Sequence, residues 1–295
     1  MDPRIREHAD IVINHSVALE SDDNVVIDAA PEAEDLVVAL MELVGERGAN
    51  PVVMSNRYGE RFNRAYLRNH DGDFDLPSHE MALIEEMDVF IAIRSGANVT
   101  ETADVDSTTN AAYNRARRPI LEERLSKRWL LTQYPAPAFA QLAEMSTEAY
   151  ENFVWDAIIR DWEGQRDHQA EMAEIIDAAD QVRIASGDTT DLTMSVSGNI
   201  ARNDWAQHNL PGGEVFTAPV PDSVEGEVLF DLPLYHQGRE VTDVYLRFEG
   251  GEVVDHSADR NETVLTEVLD TDGGARRLGE LGIGMNRSID RFTYN

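Results

Sequence analysis

NVVIDAAPEAEDLVVALMELVGERGANPVVMS, residues 24–55, decides the fold class. Val25-Val26-Ile27 is a short apolar run after an acidic turn and reads as a buried strand. The spacing then becomes helical: Pro31 sits near the start, Glu32, Glu34 and Asp35 suit the positive end of a helix dipole, and Leu36 to Val44 supplies the apolar stripe ahead of Gly45 and Gly48. Pro51 to Ser55 is a second strand, so the stretch is a strand-helix-strand unit. Working outward, Arg4 to Val17 repeats apolar residues at helical spacing, and a helix-like His79 to Glu86 leads into a strand at Val89 to Ile93. The predicted class is α/β, with a layered N-terminal domain around a parallel sheet.

Sheets of this kind often bind nucleotides, yet the turn Asp28-Ala29-Ala30-Pro31 lacks the glycines that let pyrophosphate approach a helix end, which excludes a dinucleotide site there. Ser95-Gly96-Ala97-Asn98 is a strand-end loop that reads more readily as a plain turn than as a ligand contact. From Leu121 to Ala179 the pattern is predominantly helical, with Trp129, Phe139, Tyr150, Phe153, Trp155 and Trp162 as core groups. His168 and Glu171 have i, i+3 spacing but stand among Glu163, Asp167 and Glu174, the marks of a solvated face rather than a metal pair. Near Asp180 the character turns to β, with strands predicted at 182–185, 192–196, 215–218, 228–232, 241–248 and 252–255. The predicted division is an N-terminal α/β domain with helical connector over 1–180 and a β-rich α+β domain over 181–295.

Charge narrows the partners. The 295 residues carry 56 acidic against 25 basic side chains, a net charge of -31, and Lys127 is the single lysine. Such a field repels phosphate backbones; the run of Arg115, Arg117 and Arg118 with 122–128 is interrupted by acids and reads as a solvated helix face, so nucleic acid is excluded as a partner. An acidic, arginine-for-lysine surface suits concentrated salt, where the Debye length falls to roughly 3 Å; an ordinary acidic protein is the alternative. The absence of cysteine removes disulfides and thiolate sites, so any metal must be held by oxygen and imidazole. Residues 1–9 lack an apolar targeting core and no stretch approaches the roughly 18 apolar residues of a membrane span, giving the expectation of a soluble, cytoplasmic protein without a membrane partner.

Two segments place carboxylates in glycine-rich apolar loops, where an unpaired ionised carboxylate is expensive to keep. In Asn209-Leu210-Pro211-Gly212-Gly213-Glu214-Val215-Phe216, Glu214 opens the strand that leaves a tight turn. In residues 273–284, GGARRLGELGIG, Glu280 lies between glycines. Singly, each glutamate reads as a loop residue paired with an arginine. Together they suggest a clamp for two divalent ions about 3.5–4 Å apart, as in hydrolytic two-metal sites. His208, His236 and His256 are the nearby candidates for further ligands, but they lack HExxH-type spacing, and surface or packing roles are the simpler expectation for each. A serine nucleophile is excluded, since Ser195-Val196-Ser197-Gly198 lacks the leading glycine of a nucleophile elbow.

The segments NLPGGEVFTAP (209–219) and DGGARRLGELGIGMN (272–286) resemble the two hallmark segments of the thermophilic metalloprotease family, which includes aminopeptidases T, S and II. Thr190-Asp191-Leu192-Thr193, Val224-Glu225-Gly226, Phe248-Glu249-Gly250-Gly251 and the stretch from Trp129 to Ser146 extend the likeness over essentially the whole chain. The resemblance implies a metallo-aminopeptidase, here a salt-adapted, haloarchaeal-like member, that releases N-terminal amino acids from peptides through water activated by two divalent ions (zinc, cobalt or manganese) in a homodimer. It maps the family's two glutamate ligands onto Glu214 and Glu280, one ligating and the other bridging or acting as base, with Glu280 the catalytic candidate. The family also uses two histidines, an aspartate and a tyrosine beyond the Gly282-Ile283-Gly284 loop, whereas this sequence ends at Asn295 with Ile289, Phe292 and Tyr294 in need of cover. The expectation is therefore a catalytic domain missing its C-terminal part. The alternatives are a truncated, non-catalytic paralogue that dimerises or binds peptides and, more remotely, an esterase-like metal hydrolase.

The charge pattern makes one prediction of its own: the melting temperature rises between dilute buffer and molar salt as carboxylate repulsion is screened. Melting curves that coincide across that range refute salt adaptation.

Overall fold

The computed structural model describes residues 2–54, 60–70, 73–236 and 239–293. Asp2 caps the first helix, α1 (Pro3–Asp10), by accepting a hydrogen bond from the Arg4 amide, and the helix continues as a π-helical turn over Ile11–Ser16. The opening unit then forms as its sequence dictates: β1 (Asn24–Ala29), α2 (Glu34–Arg47) and β2 (Asn50–Met54). Next come α3 (Glu60–Asn69), α4 (Ser78–Glu86), β3 (Val89–Arg94), α5 (Ser107–Ser126) and β4 (Arg128–Gln133).

These strands form an all-parallel sheet in the order β2-β1-β3-β4-β8, where β8 is the two-residue strand Asn209–Leu210. Burial on both faces explains why Val25 to Ile27 and Val89 to Ile93 are continuous apolar runs rather than alternating ones. One face packs against α1, α2 and α7 (Thr147–Ile158) through Leu36, Leu40, Ile91 and Trp155; the other packs against α4 and α5 through Val26, Ile84, Phe90 and Ile120.

The strand β4 corrects the helical expectation for Leu121 to Ala179. Trp129-Leu130-Leu131 is too short to show a period, and the edge of β3 supplies backbone partners along the whole run. The rest of that stretch is helical, as α6 (Pro137–Leu142), α7 and α8 (Trp162–Asp177).

The β-rich half begins with β5 (Gln181–Ser186), β6 (Thr190–Ser195) and β7 (Arg202–Asp204). After β8 come β9 (Glu214–Thr217), β10 (Glu225–Phe230), β11 (Leu234–His236), β12 (Arg239–Val241), β13 (Val244–Glu249) and β14 (Glu252–Ser257). The chain then forms α9 (Glu262–Leu269) and β15 (Leu281–Gly284). An antiparallel sheet in the order β14-β13-β10-β6-β5 covers a second core of Leu192, Met194, Val228, Phe248 and Leu265. The run Val241 to Phe248, predicted as one strand, is broken at Asp243, whose φ of 51° turns the chain between β12 and β13.

A third, three-stranded sheet, β15-β9-β7, connects the two halves. Residues 202–217 pass from this small sheet into the parallel sheet through β8 and back again through β9. Among the described residues no helix is long and apolar enough to cross a membrane.

Candidate metal centre

Glu214 and Glu280 converge on one face of the small sheet. Antiparallel register sets Asp204, Glu214 and Gly284 side by side, and next to them Arg202, Phe216 and Gly282; directly opposed residues of antiparallel strands share a face. Glu280 lies two residues before Gly282. A Cβ placed on Gly282 would meet Glu214 Oε2 at 3.4 Å and Glu280 Oε1 at 3.7 Å. The sum of the two distances bounds the separation of those oxygens at about 7 Å, a span that a pair of bridged ions can fill. Gly213 holds the turn that aims Glu214: its φ is +103°, and a Cβ there would stand 2.6 Å from the Asn286 Cβ, so only glycine suits the position.

The arrangement is electrostatically unbalanced. Burial pushes the half-buried Glu214 above the ordinary carboxylate range, and the charge of Glu280 adds to the shift. Asp204, across the strand, is raised from 3.8 to about 6, first by burial and then by Glu214, against the opposing amides of Ala206 and Gln207 and the nearby His208. Its Oδ2 is buried without a hydrogen-bond partner among the described residues. The arginines nearest Glu280 in sequence are engaged elsewhere: Arg276 with Asp270 at 2.6 Å, and Arg277 with Glu252 at 2.6 Å. Among the described residues neither glutamate has an ion-pair partner, in contrast to the arginine pairing expected of each taken singly.

Carboxylates gathered without a basic partner are the complement of a divalent ion, and the donor chemistry fits one. The chain brings the carboxylates of Glu214 and Glu280 together here; among the described residues no group of three His, Asp or Glu side chains stands close enough to hold an ion by itself. The space beside Glu214, about 290 Å³, is lined by Asp204, Asn209, Asn286 and Ile289. Glu280 faces a second opening of about 430 Å³ with Arg202 and Phe216.

Buried amides hold the sheet in place. Gln169 on α8 is fully buried and its Nε2 donates to Asn203 Oδ1 (2.6 Å), the Asp204 carbonyl (3.0 Å) and the Glu214 carbonyl (3.1 Å). Gln165, one turn earlier, donates to Gln169 Oε1 at 2.5 Å and to the Met285 carbonyl at 3.2 Å. Asn286 donates to the carbonyls of Ala157 (3.0 Å) and Gly212 (3.1 Å) and accepts from Arg160. From the other side, buried His8 donates to Thr132 Oγ1 at 2.7 Å and Thr132 donates to the Leu210 carbonyl at 2.8 Å, while His15 Nε2 lies 2.8 Å from the Trp205 carbonyl. Sequence reasoning missed all of these. One signal was present: Gln165 and Gln169 share the buried face of α8 with Trp162 and Ile176, and an amide on such a face demands partners.

Of the histidines named as further ligands, only His208 is near enough to act on Asp204, and its ring is occupied by Trp129. His208 stacks on Trp129 with ring centroids 4.6 Å apart, His256 Nε2 is 2.9 Å from Thr266 Oγ1, and His236 ends β11. His168 and Glu171 are exposed on α8, as a solvated face requires, and Ser95 is buried behind β3. Ile289 and Phe292 are 44% and 40% exposed; Tyr294 lies outside the described residues.

The profile of the thermophilic metalloprotease (M29) family matches residues 1–295. Aminopeptidase T of Thermus aquaticus is 28% identical over 93% of this chain and 76% of its own length; aminopeptidase 2 of Geobacillus stearothermophilus is 26% identical over 96% and 76%. The solved structure of wild-type AmpT from Thermus thermophilus superposes with a TM-score of 0.82 at 26% identity, covering 96% of this chain and 78% of that one.

Two outcomes follow from the geometry. Because Asp204 titrates higher folded than unfolded, its protonated form favours the fold: this stability is complete below pH 4 and is lost as pH rises through about 6. In chelator, Asp204→Asn therefore flattens that part of the stability-pH curve and gains roughly 2 kcal/mol on wild type at pH 7 relative to pH 4; parallel denaturation curves for the two proteins refute the assignment. Gln169→Leu leaves three acceptors without their donor and costs about 1–3 kcal/mol, read as a drop in the denaturation midpoint.

Proposed function

The chain belongs to the thermophilic metalloprotease (M29) family, and from that premise we propose that it is a metallo-aminopeptidase releasing N-terminal amino acids from peptides. The observation that carries the reading is the convergence of Glu214 and Glu280 over Gly282, with neither paired to a basic side chain among the described residues. Names of the relatives support the substrate class, since aminopeptidase T and aminopeptidase 2 align along nearly the whole chain.

Glu214 and Glu280 would hold two divalent ions, zinc, cobalt or manganese. When bound, such ions lower the pKa of water towards 7 and polarise a peptide carbonyl. The chain's own contribution is rigidity and charge. Gly213 and β9 fix Glu214, β15 begins at the residue after Glu280, and Gln169 ties β7 to β9. Glu280, the more exposed of the two, is placed to accept a proton at a carboxylate oxygen from the attacking water and return it to the leaving amine. Asp204 adds negative charge close by and strengthens the field that draws cations. We further propose a homodimer as the working assembly and salt-rich cytoplasm as its setting.

A second reading, a non-catalytic module that dimerises or binds peptides, is favoured by one observation: the described residues bring only two metal-ligating side chains to the site. A single set of measurements separates the two. Calorimetric titration with manganese and release of leucine from a leucyl tripeptide are followed in wild type, Glu214→Gln and Glu280→Gln. The enzyme reading expects saturable ion binding, loss of turnover in chelator and at least about a hundredfold loss in Glu280→Gln. Ion-independent turnover, or none with ions bound, removes it. Sedimentation equilibrium decides the dimer.

A further inference from the structure

Away from the metal centre lies a cleft of about 830 Å³, lined by Asp28 of β1, Met54 of β2 and side chains of α3, α4 and α5. Its described lining shares no residue with the spaces beside Glu214 and Glu280. In the parallel sheet β1 stands three strands from β8, roughly 14 Å at about 4.8 Å per strand. The position has a topological basis. The helix α2 leads from β1 to β2 over one face of the sheet, and α4 leads back over the other face to β3, on the far side of β1. At such a reversal open α/β sheets hold small molecules by the carboxyl ends of their strands, and Asp28 and Met54 stand at those ends. The volume suits one small molecule, and the cleft is open to solvent along Tyr66 and Leu121, 50% and 45% exposed.

The lining combines rings with charges of both signs. Phe74 lies 6.0 Å from Tyr66 and 5.4 Å from Tyr113, centroid to centroid, so an aromatic group in the cleft meets three rings. Arg117 pairs with Glu80, and its guanidinium lies 5.1 Å from the Tyr113 centroid. Arg124 stands 4.9 Å from the Phe90 centroid. Asp75 adds a carboxylate that has no ion-pair partner among the described residues. These charges exclude two classes of ligand. A bare anion such as phosphate would meet Asp28, Asp75 and Glu80, and an organic cation drawn to the rings would meet guanidinium groups already set over two of them. A ligand that carries one charge of each sign on an aromatic body meets neither obstacle. Asp75 and Glu80 offer acceptors for an ammonium, and Arg117 keeps N–H donors for a carboxylate beyond the one given to Glu80. Being neutral overall, such a zwitterion is not repelled by a chain of net charge -31.

We propose that this cleft is a second ligand site, for a free amino acid with an aromatic side chain. The site stands independently of the metal centre; where the aminopeptidase reading holds, its ligand is of the kind that the reaction releases.

The test titrates the full chain by calorimetry in chelator with L-phenylalanine, L-alanine, phenethylamine, 3-phenylpropionate and adenosine. Phenylalanine binds saturably. Alanine lacks the ring, phenethylamine and 3-phenylpropionate each lack one charge, and adenosine lacks both charges; each binds at least about tenfold more weakly. Tyr66→Ala removes one ring at a position outside the core and weakens phenylalanine about threefold to tenfold. Arg117→Gln removes the donors for the carboxylate and erases the preference for phenylalanine over phenethylamine. No saturable binding, equal affinity for phenethylamine or adenosine, or phenylalanine binding that both variants leave unchanged overturns the site.

Discussion

A carboxylate taken out of water needs a partner, and the small sheet β15-β9-β7 withholds one from two of them, Asp204 and Glu214, with the exposed Glu280 close by. Asp204 and Glu214 sit opposite each other on paired strands, and Glu280 reaches the same face across the bare backbone of Gly282. Burial first, and then the charge of Glu214 on Asp204 and of Glu280 on Glu214, push both groups in the same direction, towards holding protons or a cation. Elsewhere some acids do find arginines: Asp191 with Arg183, Glu240 with Arg260, and the nearly buried Asp23 with Arg128. Even Arg276 and Arg277, four and three residues from Glu280, face away to Asp270 and Glu252. Carboxylates that burial partly withdraws from water and that lack a basic partner among the described residues are electrostatically suited to an external cation.

The rest of the architecture supports that face. Three strands are too few to hold a precise geometry alone. Here the sheet is braced from both sides. From α8, Gln165 and Gln169 reach the carbonyls of Asp204, Glu214 and Met285, which fixes all three strands or their ends to one helix. From the parallel sheet, the intervening loop is held at β8, where Thr132 and His8 tie the Leu210 carbonyl to α1. Burial drives the His8 imidazole down to about 3, so it stays neutral and the tie does not loosen at ordinary pH. The site thereby lies off the C-terminal edge of the parallel strands, where open α/β sheets commonly place their ligands. Fold and site are joined through two residues, Asn209 and Leu210.

Those two residues also show why the sequence was legible in some places and not others. Period and turn chemistry report on elements long enough to repeat, so β1, α2, β3 and most of the antiparallel strands were readable, as were both glutamate segments with their glycines. A two-residue strand has no period, and β8 is visible only once β4 offers its edge. For the same reason β4 itself, three apolar residues between helices, passed for helix. Likewise β15 hides among glycines, because the small residues that leave room between Glu214 and Glu280 also erase the alternation that announces a strand. The ties from Gln165, Gln169 and Asn286 depend on acceptors 34 to 129 residues away and leave only the trace of an amide on a buried face.

The net charge of -31 and the charged face are separate problems with different remedies. Surface carboxylates repel through solvent, over distances that salt shortens to roughly 3 Å at molar strength, so dissolved ions relieve them collectively and without specificity. Asp204 is largely and Glu214 half withdrawn from that solvent, and screening reaches them less than it reaches the surface. Bulk salt therefore stabilises the outside of the molecule while leaving the site's imbalance in place. An imbalance of this kind is relieved by direct contact between carboxylate oxygens and a cation, a demand that small divalent ions meet better than the sodium or potassium that screen a surface. A protein this acidic concentrates such ions around itself, and at the face crossed by Gly282 two carboxylate oxygens lie within about 7 Å of each other without a basic partner among the described residues.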